Sequence, residues 1–159
     1  MKHVVVCLSG KRKCGKDFVG SLLANRLEGM GCKVIICGIS YPLKEEYARQ
    51  VFAKADSADV LIVTDCRRLS DIEFFKMHCG SRLRLLRIET SLAIREMRGF
   101  VFVKGIDDQI TECGLDEYAD WDVVFTNDIQ TVDGTLPPNL DECLTRFCFE
   151  ICQLLFNQK

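Results

Sequence analysis

The chain has 159 residues, 48% apolar and 28% charged, with a net charge of −2. That length suits one compact domain with a sizeable core, and the balance is that of a globular chain, which sets aside disordered and membrane classes. There is no overall basic field to draw nucleic acid and no apolar run near a membrane span, so neither is expected as a partner.

In chain order, HVVVCLSG (3–10) is β-branched and continuously apolar, and it stops at a glycine. It is too short for a signal-peptide core and predicts a strand buried on both faces of a parallel sheet. KDFVGSLLANRLEGMG (16–31) carries Phe18, Leu22, Leu23 and Leu27 at helical spacing, with Gly31 past its end. KVIICGI (33–39) predicts a second strand, and PLKEEYARQVFAKA (42–55) a helix opened by Pro42. DVLIVTD (59–65) is a third strand, and SDIEFFKMHCG (70–80) a helix with Ser70 as its cap. RLRLLRIE (82–89) is a strand weakened by its arginines, and TSLAIREMRG (90–99) is helical. WDVVFTN (121–127) is a fifth strand, and NLDECLTRFCFEICQLLF (139–156) a closing helix. Strands alternating with helices predict a three-layer α/β fold with a mostly parallel five-stranded sheet. Ligands of such sheets sit beyond the carboxyl ends of the strands, so the residues that follow each strand are the ones to inspect.

The ten cysteines lie mostly in apolar settings, and no pair of CxxC motifs accompanies the two histidines. They are expected as reduced, buried small hydrophobes, with no structural zinc site.

Gly10, Gly15 and Lys16 satisfy the G-x-x-x-x-G-K pattern between a predicted strand and a predicted helix. Such a loop aims backbone N–H groups and a helix N-terminus at a polyphosphate, and Lys16 can reach the β- and γ-phosphates. Lys11, Arg12, Lys13 and Lys16 are crowded into six positions, where a bound anion would relieve their repulsion. Asp17 stands where the pattern has a hydroxyl. It reads either as a first-turn carboxylate favouring the helix N-terminus or as a hard oxygen ligand for Mg²⁺. Cys14, between cations, is either a small filler or a thiol with lowered pKa and oxidation sensitivity. Arg67 and Arg68 follow the third strand at the active edge of the sheet, where a guanidinium fork can grip phosphate. Asp65 at the same strand end can hold a magnesium-bound water or orient an arginine. Arg95 and Arg98, three apart on one helical face, are either a solvated face or a pair that closes over phosphates. GIDDQITECGLDEYADWD (105–122) has seven acidic residues and reads alone as a solvated loop.

SGKRKCGKDFV, YPLKEEYA, VTDCRRLSDIEFF, RGFVF, GIDDQITECGLDEY and DWDVVFTN, in this order, resemble the animal-type phosphomevalonate kinase family. The resemblance spans most of the chain, and the loop with Asp after Lys is its distinctive part. It implies a P-loop kinase fold and transfer of the ATP γ-phosphoryl group to (R)-5-phosphomevalonate, with Mg²⁺, in isoprenoid and sterol precursor synthesis. By resemblance, Lys11, Arg12, Lys13, Cys14, Gly15, Lys16 and Asp17 form the nucleotide loop, with Lys13 and Lys16 catalytic. Lys44 lies near the acceptor, and Arg67 and Arg68 contact phosphomevalonate and the transferred phosphate. Arg95 and Arg98 belong to a lid whose second arginine contacts ATP, and Asn127 to a late nucleotide or substrate loop. Asp17 and Asp65 are the candidate metal residues. The family carries histidine where this chain has Asp128, and the acidic stretch becomes a connector near the lid.

One departure stands out. Between EEYA and DVLIVTD the family carries a few dozen further residues, largely helical, that form much of the acceptor pocket; here only RQVFAKADSA (49–58) remains. The expectation is therefore one kinase domain over 1–159 with a shortened acceptor segment. The alternatives are a non-catalytic ATP-binding form of the same family, or a kinase with another small-molecule acceptor. The cytosol is the default location, since FNQK is no peroxisomal address, and a monomer is expected, although nothing in the sequence fixes the oligomeric state.

Overall fold

The computed structural model describes residues 3–38, 57–129 and 136–156. The helix expected at 42–55, with Pro42 and Lys44, lies outside the described residues.

Five strands alternate with helices: β1 (Val4–Ser9), α1 (Lys16–Gly29), β2 (Val34–Cys37), β3 (Val60–Val63), α2 (Leu69–Cys79), β4 (Leu83–Glu89), α3 (Leu92–Met97), α4 (Ile110–Cys113), β5 (Val123–Thr126) and α5 (Pro138–Phe156). They form one sheet in the order β2-β3-β1-β4-β5. All four pairings are parallel. β1 is therefore central, and every one of its six residues is buried. Its side chains divide by parity, as a strand requires. Val4, Val6 and Leu8 pack with α1 and α5, through Leu23, Leu27, Leu144, Phe147 and Ile151. Val5 and Cys7 pack with Leu61, Val63, Ile72 and Phe75 on the α2 face. No helix among the described residues is long and apolar enough to cross a membrane.

All ten cysteines are free thiols, six of them buried. Cys14 is buried, and burial is the largest influence on it, raising its pKa despite the nearby cations. A lowered, oxidation-sensitive thiol at this position is thus not what the fold makes; the side chain is a filler under the loop.

Two local expectations change. The cap of α2 is Arg68, not Ser70; the Asp71 carboxylate, buried inside the first turn, accepts the backbone N–H groups of Arg67 at 3.0 Å and Arg68 at 2.9 Å. The arginines of β4 do not weaken it. Arg87 is buried, donates to Ser9 Oγ at 3.1 Å and to Asp116 at 3.3 Å, and faces the Trp121 ring.

Candidate active site

The loop between β1 and α1 is built from residues that must leave ordinary strand or helix geometry. Gly15 caps α1 with φ +87°, and a Cβ there would lie 2.4 Å from Asn127 Nδ2, so both conformation and space require glycine. Lys13 takes a left-handed backbone too, with φ 63°. Lys16 folds back across the loop and donates to the Gly10 carbonyl at 2.6 Å and the Lys11 carbonyl at 3.3 Å. The loop is tied down from the opposite strands. The Cys14 carbonyl accepts from Asn127 Nδ2 at 2.8 Å, Thr90 Oγ1 at 3.1 Å and Arg98 Nη1 at 3.3 Å.

A cleft of about 640 Å³ opens beside this loop, at the carboxyl ends of β1 and β3. It is lined by Arg12, Lys13, Gly15, Lys16, Asp17 and Arg98 from the loop and lid sides, and by Asp65 and Arg67 after β3, with Gly38 and Thr64. Sites separated by some fifty to eighty residues in sequence therefore converge on one cavity. Arg67 donates from Nε to Asp65 Oδ1 at 2.5 Å and pairs through Nη1 with Glu112. Burial opposes the Arg67 charge, but Asp65 and Glu112 outweigh it and the pKa lies above the ordinary arginine value.

Other sequence candidates surround this cleft without lining it. Lys11 points to a second cavity of about 380 Å³, shared with Arg87 and Arg95. Arg95 donates from Nε to the Arg12 carbonyl at 2.8 Å and lies 3.9 Å over the Phe100 ring. Arg68 sits behind Arg67 as the α2 cap. Asn127 is buried; beyond holding Cys14, its carbonyl accepts from Arg98 Nη2 at 3.0 Å. It braces the loop and Arg98 together. Asp128 accepts the Ser91 backbone N–H at 2.7 Å and so fixes the start of α3.

Sequence reasoning missed the acidic stretch. Taken alone the stretch reads as a solvated loop and by resemblance as a connector; in the structure it contains α4 and presses three carboxylates onto the cations of the site. Asp116 pairs with Lys11 at 2.5 Å, Asp107 with Arg12 at 3.4 Å, and Glu112 accepts the Arg12 backbone N–H at 3.2 Å while holding Arg67. The crowding of the loop is thus relieved partly by the protein itself. The available signal was the match of a seven-carboxylate segment to a four-cation loop, which charge patterning reads only once the fold brings them together.

The loop geometry coincides with relatedness. A family profile described as phosphomevalonate kinase matches residues 8–55. The phosphomevalonate kinase of Drosophila melanogaster is 31% identical, over 78% of this chain and 88% of that protein. The chain belongs to the phosphomevalonate kinase family. The comparison with this relative runs over 169 positions although only 78% of the 159-residue chain takes part, so several tens of its positions have no counterpart here. Among solved structures, the fold of this family member is similar to that of Mycobacterium tuberculosis APS kinase in complex with AMPPNP and APS (TM-score 0.57, 15% identity, 97% of this chain and 98% of that one). It is also similar to a gluconokinase from Sinorhizobium meliloti (TM-score 0.55, 14% identity, 98% and 95%) and to shikimate kinase from Bacteroides thetaiotaomicron (TM-score 0.54, 13% identity, 93% and 98%). At these identities the likeness is one of fold: the P-loop kinase architecture.

Proposed function

We propose that the chain is an ATP-dependent kinase that transfers the γ-phosphoryl group to the phosphate of (R)-5-phosphomevalonate, giving 5-diphosphomevalonate and ADP. One observation carries the reading: a family-matched phosphate loop and a strand-end arginine meet in a single cleft.

The chemistry brings together a polyphosphate and a monophosphate, so the protein's task is to position and neutralise charge. Lys16 is placed to exchange its carbonyl contacts for the β- and γ-phosphates. Lys13 and Arg12 add charge on the loop, and Arg98 closes from the lid side. Arg67 supplies a fork at the opposite wall, for the acceptor phosphate and the group in transit. The attacking oxygen belongs to the acceptor, so no protein nucleophile is required. Asp17 and Asp65 would hold Mg²⁺ here, which would supply positive charge to offset that developing on the phosphates. Asp17, exposed on the cleft, and Asp65, across from it, are the oxygen donors that suit such an ion.

We further read the chain as one kinase domain whose acceptor segment is shortened near 49–58. The unmatched positions in the comparison with the Drosophila relative support this, and Lys44 remains its candidate acceptor contact. Placement in isoprenoid and sterol precursor synthesis, in the cytoplasm and as a monomer, follows from the same reading. Calorimetric titration with ATP·Mg²⁺, then phosphomevalonate, tests it alongside an ADP-release assay. Wild-type chain is expected to bind ATP and to release ADP only when phosphomevalonate is present. Lys16→Ala is expected to lower kcat by at least about 100-fold, the scale of one lost electrostatic donor. ATP binding without acceptor-driven ADP release would assign the chain to nucleotide binding alone.

A further inference from the structure

Glu112 touches the candidate site from behind. Its side chain is 4% exposed and does not line the cleft, yet both of its partners do. One oxygen accepts the Arg12 backbone N–H at 3.2 Å, and the other pairs with Arg67 Nη1. Arg12 belongs to the phosphate loop after β1, and Arg67 to the loop after β3. A single buried carboxylate therefore spans the two halves of the cation set. The segment that carries it passes within van der Waals reach of the Arg67 backbone: a Cβ at Gly114, just past α4, would lie 3.5 Å from the Arg67 carbonyl. Asp65 holds Arg67 Nε from the cleft side. With Nε and Nη1 both committed, a side chain rich in rotamers is held in one orientation before any anion arrives.

We propose that Glu112 is a positioning residue, holding the Arg67 fork in register with the phosphate loop so that both grip one polyphosphate. The proposal rests on the kinase reading of the cleft, and it differs in sign from the simpler idea that Glu112 is a counter-anion. A counter-anion competes with phosphate, so neutralising it tightens phosphate binding. A positioning carboxylate organises the cations, so neutralising it weakens binding.

The test uses the full chain as wild type, Glu112→Gln, Arg67→Ala and the double variant. Glutamine keeps the volume, but its single carbonyl oxygen can serve only one of the two donors. Affinity for inorganic tripolyphosphate is measured by calorimetry, with the melting temperature of each protein and acceptor-driven ADP release in parallel. Glu112→Gln is expected to weaken tripolyphosphate about 10-fold, and the double variant to be no weaker than Arg67→Ala by more than about 2-fold, because the two residues act as a unit. Unchanged or tighter binding by Glu112→Gln overturns the proposal, as do losses that multiply in the double variant. A Glu112→Gln chain that fails to fold also overturns it, by making the carboxylate structural. If wild type binds tripolyphosphate but phosphomevalonate drives no ADP release, the acceptor assignment falls while the binding cycle still decides the role of Glu112.

Discussion

Lys13 is the one non-glycine residue with a positive φ among the described residues. A lysine held at φ 63° costs stability that a glycine would not, so the side chain is being kept there against the backbone's preference. It lines the cleft, together with Arg12 and Lys16. Lys13→Gly should therefore separate the two effects. It is expected to raise stability by up to about 1 kcal/mol in denaturant unfolding, while weakening ATP·Mg²⁺ binding in calorimetry. A variant that loses stability and keeps its affinity would mean that Lys13 is a packing residue. At this scale the sequence was informative wherever chemistry is local. Gly15 and Lys16 stand where the loop pattern puts them, at the cap and first residue of α1. Cys14 was less legible, because its surroundings in sequence are cations while its surroundings in space are apolar, and burial wins.

The elements show where a local cue misleads. A serine just before an apolar run is a reasonable helix cap, but Ser70 is exposed inside α2, and the buried Asp71 does the work by taking two backbone N–H groups. Those two groups belong to Arg67 and Arg68, so the cap of α2 also sets the backbone of the strand-end arginines. Asp71→Ala is expected to cost about 1–3 kcal/mol and to reduce turnover through Arg67, with Ser70→Ala costing less on both counts. Equal losses for the two variants, read from urea midpoints, would restore Ser70 as the cap. All five strands were legible because strands of a parallel sheet read as continuous apolar runs, and the longer helices because of their apolar period. The strand ends moved by a residue or two, as terminal pairing depends on neighbours. α4 was not legible at all: four residues in an acidic stretch carry no period, and what orders them is their fit against Arg12 and Arg67.

On the scale of the whole molecule, the charged site sits at one edge of a sheet whose interior is rich in thiols. Burial is the first cause that pushes the Cys79 and Cys148 thiols up to about 11 and Cys32 up to about 12, from an ordinary value of 9.0. Cys7 is raised as well, by burial first and by the neighbouring Cys66 second. The sign of the consequence is fixed by proton binding. Below the ordinary value both folded and unfolded chains keep these protons, so stability does not depend on them. Above it the unfolded chain ionises while the folded chain does not, and stability falls until the folded values are passed. Each such thiol contributes a slope of about 1.4 kcal/mol per pH unit within that window. Thermal melts should thus show a Tm little changed from pH 7 to 8.5, then a steep fall from pH 9 towards 11. Cys148→Ala should lower the Tm at neutral pH, through the lost packing against α1, yet make the alkaline fall shallower. A Cys148→Ala chain whose alkaline slope matches wild type would show that this thiol is not held protonated by the core.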